Sequence, residues 1–88
     1  MPKPKFTQAE GLFRKLLKDL RQAKSLTQTQ LAERLGLPQS YVSKYEAGER
    51  RLDFLETFFL CNALEISIED FTKMFTAELG KTGRKKRG

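Results

Sequence analysis

The chain has 88 residues, 17 of them Lys or Arg and 11 Asp or Glu, giving a net charge of +6, with no histidine, no tryptophan and a single cysteine, Cys61. A length of this order supports one domain. A lone cysteine closes no internal disulfide, the lack of histidine removes the usual zinc sets and a histidine-based catalytic triad, and no apolar run approaches the about 20 residues that cross a bilayer.

The N-terminal residues MPKPKF have no apolar core like that of a signal peptide and form an expected flexible arm over residues 1–6. The first helix is predicted from about Gln8 to Lys24. Leu12, Phe13, Leu16, Leu17, Leu20 and Ala23 recur there at spacings of 3 and 4, the mark of an amphipathic helix. Thr7 reads as its N-cap, with Glu10 completing a capping box. The second helix starts after Thr27 as N-cap with Gln30 at N3, buries Leu31, Ala32 and Leu35, and stops at Gly36, the expected left-handed residue. The third begins near Pro38, whose fixed φ suits a first turn, runs through Glu46 and stops at Gly48.

The fourth helix has Asp53 at N-cap and Glu56 at N3, followed by Phe54, Leu55, Phe58, Phe59, Leu60, Cys61, Ala63 and Leu64. The fifth has Ser67 at N-cap and Asp70 at N3, with an apolar stripe of Phe71, Met74, Phe75 and Leu79. Beyond it, residues 80–88 hold Gly, Lys and Arg with nothing apolar to bury, and read as a disordered basic tail. The expected architecture is therefore all-α, a compact five-helix bundle over residues 7–79.

Charge is unevenly placed along these elements. Residues 1–24 carry a net +5, residues 81–88 another +5 and residues 25–80 a net −4. Basic ends suggest a polyanionic partner. The second and third helices, joined by Gly36-Leu37-Pro38, form a pair with a turn short enough to make them cross steeply. Val42 and Tyr45 give the third helix an inner side toward Leu20, Leu31 and Leu35. Its other side presents Gln39, Ser40, Ser43 and Lys44. Gln pairs bidentately with adenine, Lys reaches guanine acceptors, and Ser serves several bases, so such a helix suits a major groove; the same residues also suit an ordinary solvated face.

The stretch from Leu20 to Glu46 resembles the Cro/phage-repressor helix-turn-helix family (the XRE class). The matching elements are Leu26-Thr27-Gln28, then Leu31-Ala32 with Leu35-Gly36 through the turn, then Glu46 and Gly48 at the end of the third helix. The resemblance spans roughly residues 12–75. It implies a phage-repressor fold and a regulator of transcription that binds double-stranded DNA. It implies base reading by Gln39, Ser40, Ser43 and Lys44, and phosphate contact by Gln28, Tyr41, Arg50 and Arg51. It implies a structural salt bridge between Arg21 and Glu46. One departure is Pro38, where the family usually has a Ser or Thr cap.

A helix N-terminus at Gln28 agrees with that implied role, because its free N–H groups attract an anion. The tail over 81–88 is expected to grip phosphate, each contact steepening the salt dependence by about 0.9 in log–log slope. Phe58 and Phe59 lie about 100° apart on a helix, so one of them is expected to face out. With Phe75 they are the expected dimer interface, and a dimer reads a near-palindromic operator. The expectation is thus a dimeric repressor acting in the cytoplasm on the nucleoid, with no catalytic residue, cofactor, metal, membrane or small-molecule ligand. An alternative is a protein-interaction module of the same fold, a co-activator or an antitoxin-like partner binder. Cys61 is expected in the core.

Overall fold

A computed structural model describes the backbone over residues 3–87 and the side chains over residues 7–81. The helices are α1 (Lys3–Ala23), α2 (Gln28–Leu35), α3 (Gln39–Glu46), α4 (Phe54–Ala63) and α5 (Ile68–Arg87). Among the described residues there is no strand. No helix among them is long and apolar enough to cross a membrane.

Local chemistry sets the middle boundaries where the sequence places them. Thr27 accepts from the Gln30 N–H at 3.0 Å while the Gln30 side chain accepts from the Thr27 N–H at 2.9 Å. Asp53 and Glu56 repeat this reciprocal cap at 2.8 and 2.9 Å. Gly36 ends α2 at φ 71°, and its N–H and that of Leu37 satisfy the last carbonyls. Pro38 precedes α3 and gives no side-chain cap.

The two outer ends differ from expectation. α1 begins at Lys3, about five residues before Gln8, so Thr7 lies inside the helix rather than at its N-cap. Pro4 falls in the first turn, where its missing N–H costs nothing. α5 continues through Gly80 to Arg87, beyond the point where the sequence places a disordered tail. The helix passes through two glycines, Gly80 and Gly83, each worse than alanine by about 1 kcal/mol, a cost that does not by itself end a helix. The side chains of residues 1–6 and 82–88 lie outside the described residues, and with them most of the tail expected to grip phosphate.

Two turns use the left-handed conformation without glycine, at Ser25 (φ 58°) and Glu65 (φ 63°). The Glu65 turn is held from outside. Lys24 donates to its carboxylate at 2.9 Å, and Arg34 donates to the Ala63 carbonyl at 2.8 Å and approaches Glu65 at 3.4 Å. These cations hold the Glu65 carboxyl below its ordinary range.

α1 packs on α3 and α5, α2 on α3 and α4, and α4 on α5. The core gathers Leu16 and Leu17, Leu31 and Ala32, Val42 and Tyr45, Leu60 and Cys61, Leu64 and Phe71. Phe13 closes one end, meeting Phe71 and Phe75 edge-on at 5.9 and 6.3 Å between ring centres. Cys61 is fully buried, and burial pushes its thiol up to about 11. Thiolate is the nucleophile. Cys61 is therefore expected to resist a thiol reagent at pH 8 in the folded protein and to react fully once denatured; rapid labelling of the native protein would contradict this packing.

Candidate nucleic-acid interface

α3 has one side in the core and the other exposed and polar. Its inner side, Val42 and Tyr45, is fully buried. Residues 39, 40, 43 and 44 fall on the other side of the 3.6-residue turn. Gln39, Ser40 and Lys44 are exposed, Ser43 is half-buried, and the Ser43 hydroxyl donates to the Ser40 carbonyl at 3.2 Å. The four expected base readers thus share one face.

The end of α3 is tied to α1 by a bidentate ion pair. Arg21 Nε donates to Glu46 Oε2 at 2.8 Å and its second terminal nitrogen to Oε1 at 3.0 Å. The two side chains are only 10% and 4% exposed. Arg21 also donates to the Leu26 carbonyl at 2.7 Å, so one guanidinium fixes both α3 and the turn before α2. Charge-assisted, bidentate bonds of this type combine strength with a fixed orientation.

A chain of amides extends this pair to the exposed face. Gln28 donates to Glu46 Oε1 at 3.0 Å, and Gln39 donates to Gln28 Oε1 at 2.8 Å. Gln39 therefore reaches the buried Arg21–Glu46 pair through one intermediate side chain. Its Oε1 and second amide hydrogen remain available, the pair that an adenine edge requires. The sequence assigns Gln28, Gln39 and Glu46 separate roles; their connection through side-chain length and rotamer is not written in residue type.

The loop after α3 is also internally paired. Arg50 bridges to Glu56 at 2.7 Å, donates to the Arg51 carbonyl at 3.0 Å, and lies 4.7 Å from the centre of the Tyr41 ring. Arg51 is paired with Glu10 of α1. The Tyr41 ring is half-buried and meets Tyr45 edge-on at 5.8 Å. Burial, then the neighbouring Glu56 charge, pushes the Tyr41 hydroxyl up to about 12. The bond from the Asp53 N–H, then Arg50 and Tyr41, hold Glu56 below the usual carboxylate range. Tyr41 thus braces the loop from beneath.

The aromatic residues of the expected interface part company. Phe59 is 58% exposed, whereas Phe58 is half-buried against it at 5.5 Å between ring centres. Phe75 is half-buried, edge-on to Phe13 and packed against the core, so its aromatic surface is largely accounted for within the chain. Phe54 and Leu55, in the first turn of α4, are 67% and 63% exposed. The sequence does not single these two out, because an apolar residue directly after an N-cap looks the same whether it packs inward or not. Among the described residues no group of three or more acidic or cysteine side chains is placed to hold a metal.

The helix-turn-helix family model matches residues 17–71. The uncharacterized HTH-type transcriptional regulator YqaE of Bacillus subtilis (strain 168) is 32% identical over 62 residues, 70% of this chain and 53% of that protein. The chain thus spans about half the length of that relative. An XRE-family like protein from Pseudomonas syringae pv. tomato str. DC3000 superposes with a TM-score of 0.81 at 36% identity, covering 86% of this chain and 93% of the other. The restriction-modification controller protein C.Esp1396I does so with a TM-score of 0.77 at 27% identity, covering 83% and 95%.

Proposed function

The chain belongs to the XRE-type helix-turn-helix family, and from that premise we propose that it is a sequence-specific regulator of transcription that places α3 in the major groove of double-stranded DNA. The observation that carries this reading is the exposed edge of Gln39, Ser40, Ser43 and Lys44, oriented through Gln28 by a buried ion pair. The wide groove admits a helix, and these side chains match its donors and acceptors.

Phosphate contact falls to the α2 N-terminus at Gln28 and to Arg50 and Arg51. Both arginines exchange a carboxylate, Glu56 or Glu10, for a phosphate oxygen. Exposed ion pairs are worth only about 0–1 kcal/mol, so the exchange is cheap. Tyr41 acts in this scheme by supporting Arg50. The protein represses by occupying a promoter, and it works in the cytoplasm on the nucleoid.

It binds as a homodimer on a near-palindromic operator, with reading helices about 34 Å apart. The exposed Phe54, Leu55 and Phe59 on α4 support such an interface, since apolar surface of this kind on a soluble domain marks an interaction site. Replacing Phe54 and Phe59 together by serine is expected to weaken self-association about tenfold or more while leaving the helical content intact. Sedimentation equilibrium checks this; unchanged association would move the interface elsewhere.

The test of the function is an affinity selection from random duplex DNA. One enriched motif with two-fold symmetry is expected. Uniform binding that falls steeply with salt and enriches no motif would leave only the charged ends acting, and would favour a protein partner instead.

A further inference from the structure

A cleft of about 400 Å³ opens between α1, the loop after α3 and α5. It lies within the about 300–1,000 Å³ range of small-molecule sites. Its walls include Phe13, Leu52 and Phe75, and none of the four outward residues of α3 lines it. The cleft is therefore separate from the groove-reading face.

Two groups with unused hydrogen-bonding capacity belong to its lining. Arg14 is half-buried, and among the described residues its guanidinium has no ion pair or hydrogen bond. That guanidinium lies flat against Gly48, where an added Cβ would stand 3.2 Å from Arg14 Cζ. Gly48 adopts φ 81°, so the turn calls for glycine. The second is Tyr45, whose buried hydroxyl has no partner among the described residues. Arg50 and Arg51 line the same cleft, with Glu10 already engaged by Arg51.

We propose that this cleft binds a small organic carboxylate with an apolar body, the carboxylate on Arg14 and the body against Phe13, Leu52 and Phe75. The guanidinium fork matches a carboxylate bidentately. A bare phosphate would leave the apolar walls uncovered, which favours an amphipathic anion over a segment of nucleic-acid backbone. The sequence carries no sign of a small-molecule ligand because a cleft formed between helices leaves no mark in residue spacing. Arg50 and Arg51 at this site are also the proposed phosphate contacts, so an occupied cleft is expected to lower DNA affinity. That consequence rests on the proposed DNA reading, whereas binding of the carboxylate does not.

The test uses the full chain without DNA. Amide resonances are followed during titration with 3-phenylpropionate and with octanoate, and with 3-phenylpropanamide as the neutral control. Saturable shifts centred on Arg14, Gly48 and Leu52 are expected with at least one carboxylate below about 10 mM. The amide is expected to bind about tenfold or more weakly, and Arg14→Gln to lose about tenfold or more in carboxylate affinity while its remaining resonances stay in place. Arg14→Lys, which keeps the charge, is expected to retain part of the binding. Failure of both carboxylates to saturate overturns the proposal. So does equal binding by Arg14→Gln, or equal binding of the amide.

Discussion

Replacing Arg21 by alanine is expected to lower the unfolding free energy by about 3–5 kcal/mol, because it strands a buried carboxylate. Arg21 makes two bonds to Glu46 and one to the Leu26 carbonyl. Among the described residues, Glu46 would then keep the Gln28 amide alone, at 3.0 Å. For a domain of this size each kcal/mol moves the melting temperature by about 4–8 °C, so the fall exceeds about 12 °C. Thermal unfolding followed by circular dichroism checks the figure. DNA affinity is expected to fall with stability, since the same pair fixes the end of α3. The double variant Arg21→Met, Glu46→Leu is expected to recover part of the stability, because no charge is left buried alone. It is not expected to recover DNA binding, because Gln28 loses its acceptor. An unchanged melting temperature with selective loss of binding would instead make Arg21 a direct DNA contact.

The second large effect falls on specificity. Replacing Gln39 and Lys44 together by alanine is expected to weaken binding to the selected operator by about 2–6 kcal/mol, taking about 1–3 kcal/mol for each base contact. Gln39 is ordered before DNA arrives, by its 2.8 Å bond to Gln28, so less side-chain freedom is lost on docking. Neither residue belongs to the core, and the melting temperature is expected to stay within a few degrees. Binding to an unrelated duplex is expected to change little, because Arg50, Arg51 and the α2 N-terminus still meet phosphate. The resulting loss is therefore of discrimination rather than of attraction.

Much of this arrangement is legible in the sequence, for physical reasons that differ by region. α2 and α4 are fenced by Thr27–Gln30 and Asp53–Glu56, whose side chains satisfy backbone donors locally, so residue type and spacing suffice. The left-handed stop at Gly36 is equally local. The outer ends are not legible in this way. Thr7 looks like a cap but lies inside α1, and Gly80 looks like a stop but lies inside α5, because a single polar or glycine residue does not outweigh a continuing helix. Ser25 and Glu65 end their turns without glycine; in the second case Lys24 and Arg34, distant in sequence, grip the turn residue.

The functional face divides similarly. Helical periodicity alone puts residues 39, 40, 43 and 44 together. The Arg21–Glu46 pair follows from the family resemblance. The relay from Gln39 through Gln28 to Glu46 depends on rotamers across 18 residues of chain between Gln28 and Glu46, and no spacing rule encodes it. The exposure of Phe54 and Leu55, and the guanidinium of Arg14 without a partner among the described residues, are differences between what a residue offers and what its neighbours use. Such differences exist only once the neighbours are in place.

The most direct test of α3 as the reading element is the ratio of affinities for the selected operator and a scrambled duplex, measured across a salt series for the native chain and for Gln39→Ala, Lys44→Ala. The native chain is expected to prefer the operator by about a thousandfold or more, and the variant to lose most of that preference with its salt slope on the scrambled duplex unchanged. A preference that survives intact in the variant would contradict base reading by α3.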